Sequence, residues 1–235
     1  MDRMKKIVLF LEWGSILGLL GCGLWVFLWT PLEISQGFPQ KIMYLHVPTV
    51  IIAYLAFFVV FVYSIAYLWK RELMFDQMAK ASAEVGLVFC ALVLITGAIW
   101  GKPIWGTYWA WWDVRLVTTL LLFLIFMGYF LLRMSINDRD KEARLAAVLG
   151  IIGCLDIPII HKSIEWAKGR TLHQPSTFFK VETGEINPSK SDVLSDPLPV
   201  AKFFMLTLYL YLLLLRYQIE KHQDELYQLL AETQD

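Results

Sequence analysis

Six apolar runs, at about 7–29, 47–69, 83–101, 116–132, 145–161 and 199–215, each approach the roughly 20 residues that a helix needs to cross a hydrocarbon core. An open sheet edge leaves N–H and C=O groups without partners in lipid, and a barrel requires alternating segments of about ten residues, which these are not. The runs predict an all-α integral membrane bundle of six transmembrane helices. With 235 residues, such a bundle leaves about half the chain for loops, too little for a large extramembrane domain. No internal repeat, low-complexity tract or linker interrupts it, so residues 1–235 read as one six-helix membrane domain. The basic start MDRMKK resembles a signal peptide, but the apolar run continues from Ile7 to about Trp29 without a small-residue cleavage site, and it reads as a retained first span.

Orientation follows from Lys and Arg, which concentrate on cytoplasmic segments. If both termini are cytoplasmic, twelve of the 21 basic residues fall inside, on the ends and on short connections: Arg3, Lys5, Lys6, Lys70, Arg71, Lys80, Arg133, Arg139, Lys141, Arg144, Arg216 and Lys221. The other nine are spread over longer outer segments. This predicts cytoplasmic termini and three outer loops, at about 30–46, 102–115 and 162–198.

Several functions are disfavoured. Twenty-one basic residues against 21 acidic ones give no net charge, which argues against a nucleic-acid partner, usually met by a basic face. Cys22, Cys90 and Cys154 lie in apolar runs without C-x-x-C spacing, which speaks against thiol redox chemistry. No G-x-x-x-x-G-K-[ST] loop is present, so any use of ATP belongs to a partner.

The segment from Trp100 to Arg115 is the densest anomaly. Five of the chain's ten tryptophans, Trp100, Trp105, Trp109, Trp111 and Trp112, fall within thirteen positions, and Asp113 and Arg115 follow. An interfacial aromatic belt explains one or two tryptophans per helix end. Gly101, Pro103 and Gly106 point to an ordered turn rather than a helix, giving a tryptophan-rich outer loop at about 100–115. Composition alone leaves two readings open: an aromatic platform for a planar ligand, or an aromatic-rich structural loop.

Three of the four histidines, His46, His161 and His173, fall on the predicted outer side; His222 lies in the polar tail. His46 precedes Val47-Pro48, with Pro48 suited to the first turn of the second helix, so His46 stands at a helix entrance. His173 lies in the long outer loop at about 162–198. A lone histidine in either place is more often solvated or hydrogen-bonded than a ligand. Two on one side of a tryptophan surface favour haem, whose iron takes nitrogen ligands from one or both faces and whose propionates call for a cation such as Lys102 or Arg115. Two carboxylates fall inside spans, Glu12 within reach of Lys5 or Lys6, and Asp156 near His161 and Lys162. Interfacial snorkelling and a helix–helix hydrogen bond are the simpler accounts of the two. No relay of several such groups is visible, which counts against a pump.

The run Trp105-Gly-Thr-Tyr108-Trp109-Ala-Trp111-Trp112-Asp113-Val-Arg115-Leu resembles the tryptophan-rich (WWD) signature of the haem-handling proteins of cytochrome c maturation. The short chain is similar to the CcmC family among them. The resemblance extends to Ile42-Met-Tyr-Leu-His46-Val-Pro48 and to Ser163-Ile-Glu165-Trp166 followed by Thr171-Leu-His173-Gln174-Pro175, and it runs from about residue 40 to the sixth span. The family pattern has a single Trp before the Asp, whereas this chain reads Trp111-Trp112-Asp113, and Val117 stands where a Thr is common. The resemblance implies that His46 and His173 are the axial ligands of haem b. It also implies that Trp105, Tyr108, Trp109, Trp111, Trp112, Asp113 and Arg115 shape the haem surface. The implied role is no enzyme's: haem is presented at the periplasmic face of a bacterial inner membrane and passed to the chaperone CcmE, in company with the ABC-type proteins CcmA and CcmB and the small protein CcmD. Two further readings are a membrane electron carrier that retains its haem and a haem-independent scaffold subunit of an ABC-type transporter.

Overall fold

The computed structural model describes residues 2–32, 34, 36–167, 171–173 and 197–232. It contains six long helices: α1 (Asp2–Leu28), α2 (Met43–Lys70), α3 (Leu73–Trp105), α4 (Val114–Ser135), α5 (Arg139–Trp166) and α6 (Leu198–Glu232). A 3-10 turn over Phe38–Ile42 leads into α2, and there is no strand among the described residues. All six helices are long and apolar enough to cross a membrane.

The helices outrun the apolar runs that announce them. At 1.5 Å per residue, the 33 residues of α3 extend about 50 Å, against roughly 30 Å of hydrocarbon. Its first turns, with Asp76, Gln77 and Lys80, precede the apolar run at 83–101 yet are helical, because α4, α5 and α6 supply partners. Arg133 of α4 grips Asp76 with both terminal nitrogens (2.5 and 3.3 Å), and also bonds Glu142 (2.8 Å) and the Tyr129 hydroxyl (2.7 Å). Arg139 joins Asp76, Glu142 and Asp224, while Lys80 meets Glu220 at 2.6 Å. This network ties four helices together at the end where α1 begins and α6 finishes.

Hydrophobic transfer does not drive helices together inside lipid, so close backbone approach and interdigitation must do so. The core follows that rule. Phe57 of α2 stacks on Phe126 of α4 with centroids 3.8 Å apart. Gly86 of α3 makes room for Phe57, since a Cβ there would lie 2.9 Å from its ring, and Gly150 and Gly153 of α5 do the same for Val60 and Phe126. The peripheral α1 packs chiefly on α6, with the Phe204 ring seated on Gly18.

Several local expectations change. Helix α2 begins at Met43, so His46 is inside its first turns and Pro48 is its sixth residue rather than part of the first turn. Gly101 and Pro103 do not form a turn: α3 continues through both and stops at Gly106, whose positive φ of 76° and N–H bond to Lys102 O (3.0 Å) end the helix. The tryptophan-rich loop is therefore 106–113, with Trp100 and Trp105 on α3. The long loop likewise starts only after Trp166, and 168–170 and 174–196 lie outside the described residues, with Gln174 and Pro175 among them. Glu12 gains a cross-helix partner, the Tyr211 hydroxyl of α6. Asp156 is buried with Oδ2 unbonded and forms neither expected pairing: Lys162 bonds Glu165 (2.9 Å), and the His161 ring lies edge-on to Tyr54 at 5.2 Å. Cys22 and Cys90 are buried, and Cys154 is half-buried.

Candidate functional site

At the end of the bundle opposite the ion-pair network, the fold brings His46 and His173 within electrostatic range of each other and of Arg115. They arrive by different routes. His46 projects from the start of α2 against α3. Its Nδ1 lies 2.8 Å from Thr96 Oγ1, and its ring meets Trp100 edge-on at 5.7 Å. Gly97 completes the seat, because a Cβ there would approach His46 Cε1 to 3.2 Å. Trp100 is itself held by a bond from Nε1 to Gln36 Oε1 (3.2 Å).

His173 belongs to the described segment 171–173, which is anchored to Asp113. This carboxylate, fully buried, serves two structures at once. Oδ1 accepts the N–H groups of Arg115 (3.0 Å) and Leu116 (3.3 Å), capping the N-terminus of α4. Oδ2 accepts the Thr171 hydroxyl (2.9 Å) and the Leu172 N–H (2.8 Å). His173 Nδ1 stands 3.6 Å from the same oxygen, too far for a hydrogen bond, and has no other partner among the described residues. Burial alone raises the Asp113 carboxyl, but the neighbouring His173 ring and the bonds from Leu172 and Thr171 outweigh it and hold the group well below the usual carboxylate range. Asp113 is therefore a brace beneath the site rather than part of an exposed surface. Hydrogen bonds to a charged acceptor contribute about 1.5–3 kcal/mol each, so this one side chain fixes both the start of α4 and the placement of His173.

The aromatic residues divide by depth. Trp105, half-buried, lies 5.1 Å from the His173 ring. Trp109 is half-buried, with Nε1 unbonded among the described residues, and packs edge-on to Trp111 at 5.7 Å. Tyr108, Trp111 and Trp112 are exposed. The loop is ordered by Thr107, which donates to Trp109 O (2.8 Å) and accepts the Trp109 N–H (3.3 Å).

The two candidate cations differ in the same way. Lys102 bonds Gly106 O at 3.0 Å and sits 5.2 Å from the Tyr108 ring centroid, so its ammonium is already engaged. Arg115 is half-buried, with electrostatic neighbours Tyr54, Asp113, His46 and His161, yet its guanidinium has no hydrogen bond among the described residues. A half-buried cation without a bonded acceptor among the described residues suits an anionic ligand group. Together the residues present two imidazoles, one guanidinium without a hydrogen bond among the described residues, and an aromatic rim, a donor set that fits a flat, largely apolar, anionic metal complex such as haem.

Sequence reading finds His46, His173 and Arg115 but misses the residues that aim them: Thr96, Gly97, Gln36 and Thr171. The signal that was available is the spacing of Thr96, Gly97 and Trp100, which places all three near one face of a helix.

A family model described as Heme exporter protein C matches residues 1–230. Proteins of that name in Bradyrhizobium diazoefficiens and Haemophilus influenzae are 41% and 38% identical to this chain. The first alignment covers 175 residues, 73% of this chain and 64% of the relative; the second covers 209 residues, 88% and 82%. The Escherichia coli protein of the same name is 37% identical over 179 residues, 72% of this chain and 69% of that protein. On the extent of these matches, the chain belongs to the Heme exporter protein C family.

Proposed function

We propose that this chain, as one membrane domain, binds haem b at the end of the bundle carrying His46 and His173 and delivers it to the haem chaperone CcmE. CcmA, CcmB and CcmD complete the assembly. The observation that carries the proposal is the convergence of two imidazoles from distant parts of the chain to within electrostatic range of each other and of Arg115, with Trp100 against the first ring and Trp105 against the second. The excess of Lys and Arg at the opposite end supports cytoplasmic termini and a site on the periplasmic face of a bacterial inner membrane.

Bound haem supplies an iron with two axial positions, a flat apolar ring and two propionates. His46 and His173 take the axial positions, Trp105 and Trp109 flank the ring, and Tyr108, Trp111 and Trp112 form the exposed rim. Arg115 receives a propionate in preference to Lys102, whose ammonium is already bonded. The work is transfer rather than turnover. Release requires a partner that favours a different state of the site, since a ligand held equally in both states shifts no equilibrium.

Purified His46→Ala and His173→Ala proteins lose most of their haem or change from six- to five-coordinate visible spectra; unchanged spectra in both remove the ligand assignment. Adding the chaperone draws haem away. Retention with reversible reduction by quinol supports an electron carrier instead, and absence of a Soret band after haem-replete growth supports a scaffold.

A further inference from the structure

The Thr96 hydroxyl has one proton, and its position is settled by its neighbours. Oγ1 lies 2.6 Å from Leu92 O, one turn back on α3, and 2.8 Å from His46 Nδ1. A carbonyl oxygen can only accept. If the hydroxyl proton pointed at His46, two oxygen lone pairs would face each other at 2.6 Å without a proton between them. The hydroxyl therefore donates to Leu92 O and accepts from His46, which places a proton on Nδ1 and leaves the lone pair on Nε2. Gly97 and Trp100 hold the ring on adjoining sides. Thr96 is only 8% exposed, so it acts on the imidazole and not on a ligand. His173 has no counterpart to this arrangement among the described residues, where its Nδ1 makes no hydrogen bond.

We infer that Thr96 is a positioning residue that commits His46 to the tautomer with a free Nε2, making His46 the anchoring ligand of the pair. The inference rests on the haem-binding reading above. An imidazole binds a metal through a bare nitrogen, and a partner on the other nitrogen fixes both ring orientation and basicity. Without Thr96, the ring divides its population between two tautomers and can rotate.

Haem titration of the full-length apo protein in detergent tests this. Thr96→Val keeps the shape of the side chain but removes the acceptor, and binding weakens by about 10–100-fold, with five-coordinate character appearing in the spectrum. Thr96→Ser restores both the affinity and the six-coordinate spectrum. A Thr96→Val protein with wild-type affinity and spectrum overturns the inference, provided that His46→Ala has lost haem in the same assay. If His46→Ala also binds like wild type, the ligand reading itself has failed. A second measurement needs no variant: in apo wild-type protein labelled with nitrogen-15 at histidine, His46 shows a protonated Nδ1 and a bare Nε2. The opposite tautomer overturns the assignment.

Discussion

The His46 and His173 sides of the site differ in what holds them. His46 is part of a helix, and its ring is seated by Thr96, Gly97 and Trp100 of a second helix that runs through the core. His173 lies on a short non-helical stretch whose described anchor is one carboxylate oxygen, Asp113 Oδ2, reached through Thr171 and Leu172. The first side is held by packing spread over many residues, the second by bonds converging on a single atom. A site built to keep its cargo has little reason for this inequality. A site built to pass cargo on benefits from one ligand that stays and one that can be dislodged by disturbing a single acceptor.

Four changes break or sharpen that contrast. Asp113→Ala should have the largest effect. It removes both bonds to 171–173, about 3 kcal/mol together, which amounts to on the order of a hundredfold in the population with His173 in place. The expected spectrum is that of haem held by His46 alone; a retained six-coordinate spectrum ends the idea that Asp113 places His173. Gly97→Ala tests the other side. Its Cβ forces the His46 ring to yield by a few tenths of an ångström, and overpacking of this kind costs about 1–3 kcal/mol, so haem affinity falls roughly tenfold in titration. Undiminished affinity means that the seat is looser than described. Thr171→Val removes one of the two bonds to Oδ2 while leaving Leu172 N–H in place, a loss of about 1.5 kcal/mol or roughly tenfold, read as faster replacement of His173 by added imidazole.

The smallest effect is that of pH. Because the folded Asp113 carboxyl titrates below its unfolded value, its contribution is complete above the unfolded value of about 4 and is lost progressively as pH falls from there through the folded value. Exchange protection of the Leu172 amide should therefore stay level from pH 7 to about pH 4. Protection already failing near pH 6 shows that something other than Asp113 controls this segment.

The six spans were legible because apolar length is nearly all that lipid demands of a helix. Their ends were less legible. Asp76 and Lys80 look like loop residues until Arg133 and Glu220 of other helices are seen opposite them. Gly101 and Pro103 weaken a helix locally, yet α3 passes through them, an outcome set by tertiary packing rather than local preference. At the site, His46, His173 and Arg115 stood out by chemical type. Asp113 also stood out, as the carboxylate that closes the tryptophan run; what the fold adds is its burial between two chain segments, each of which it bonds. Thr96 was hidden because a threonine in an apolar helix is unremarked until an imidazole 50 positions away rests on it.

The seating of α1 on α6 also has a temporal meaning. Gly18 is made early and Phe204 late, and at about 5–20 residues per second the interval between them is on the order of ten to forty seconds. Throughout that interval α1 resides in lipid before its principal neighbour has been synthesised, so it must be tolerable to the membrane as a solitary helix. It is the least buried of the six, and its 24-residue span has the composition to wait alone. The seat of α1 thus forms only once α6 has followed it, and a chain interrupted before α6 leaves α1 without the surface on which it comes to rest.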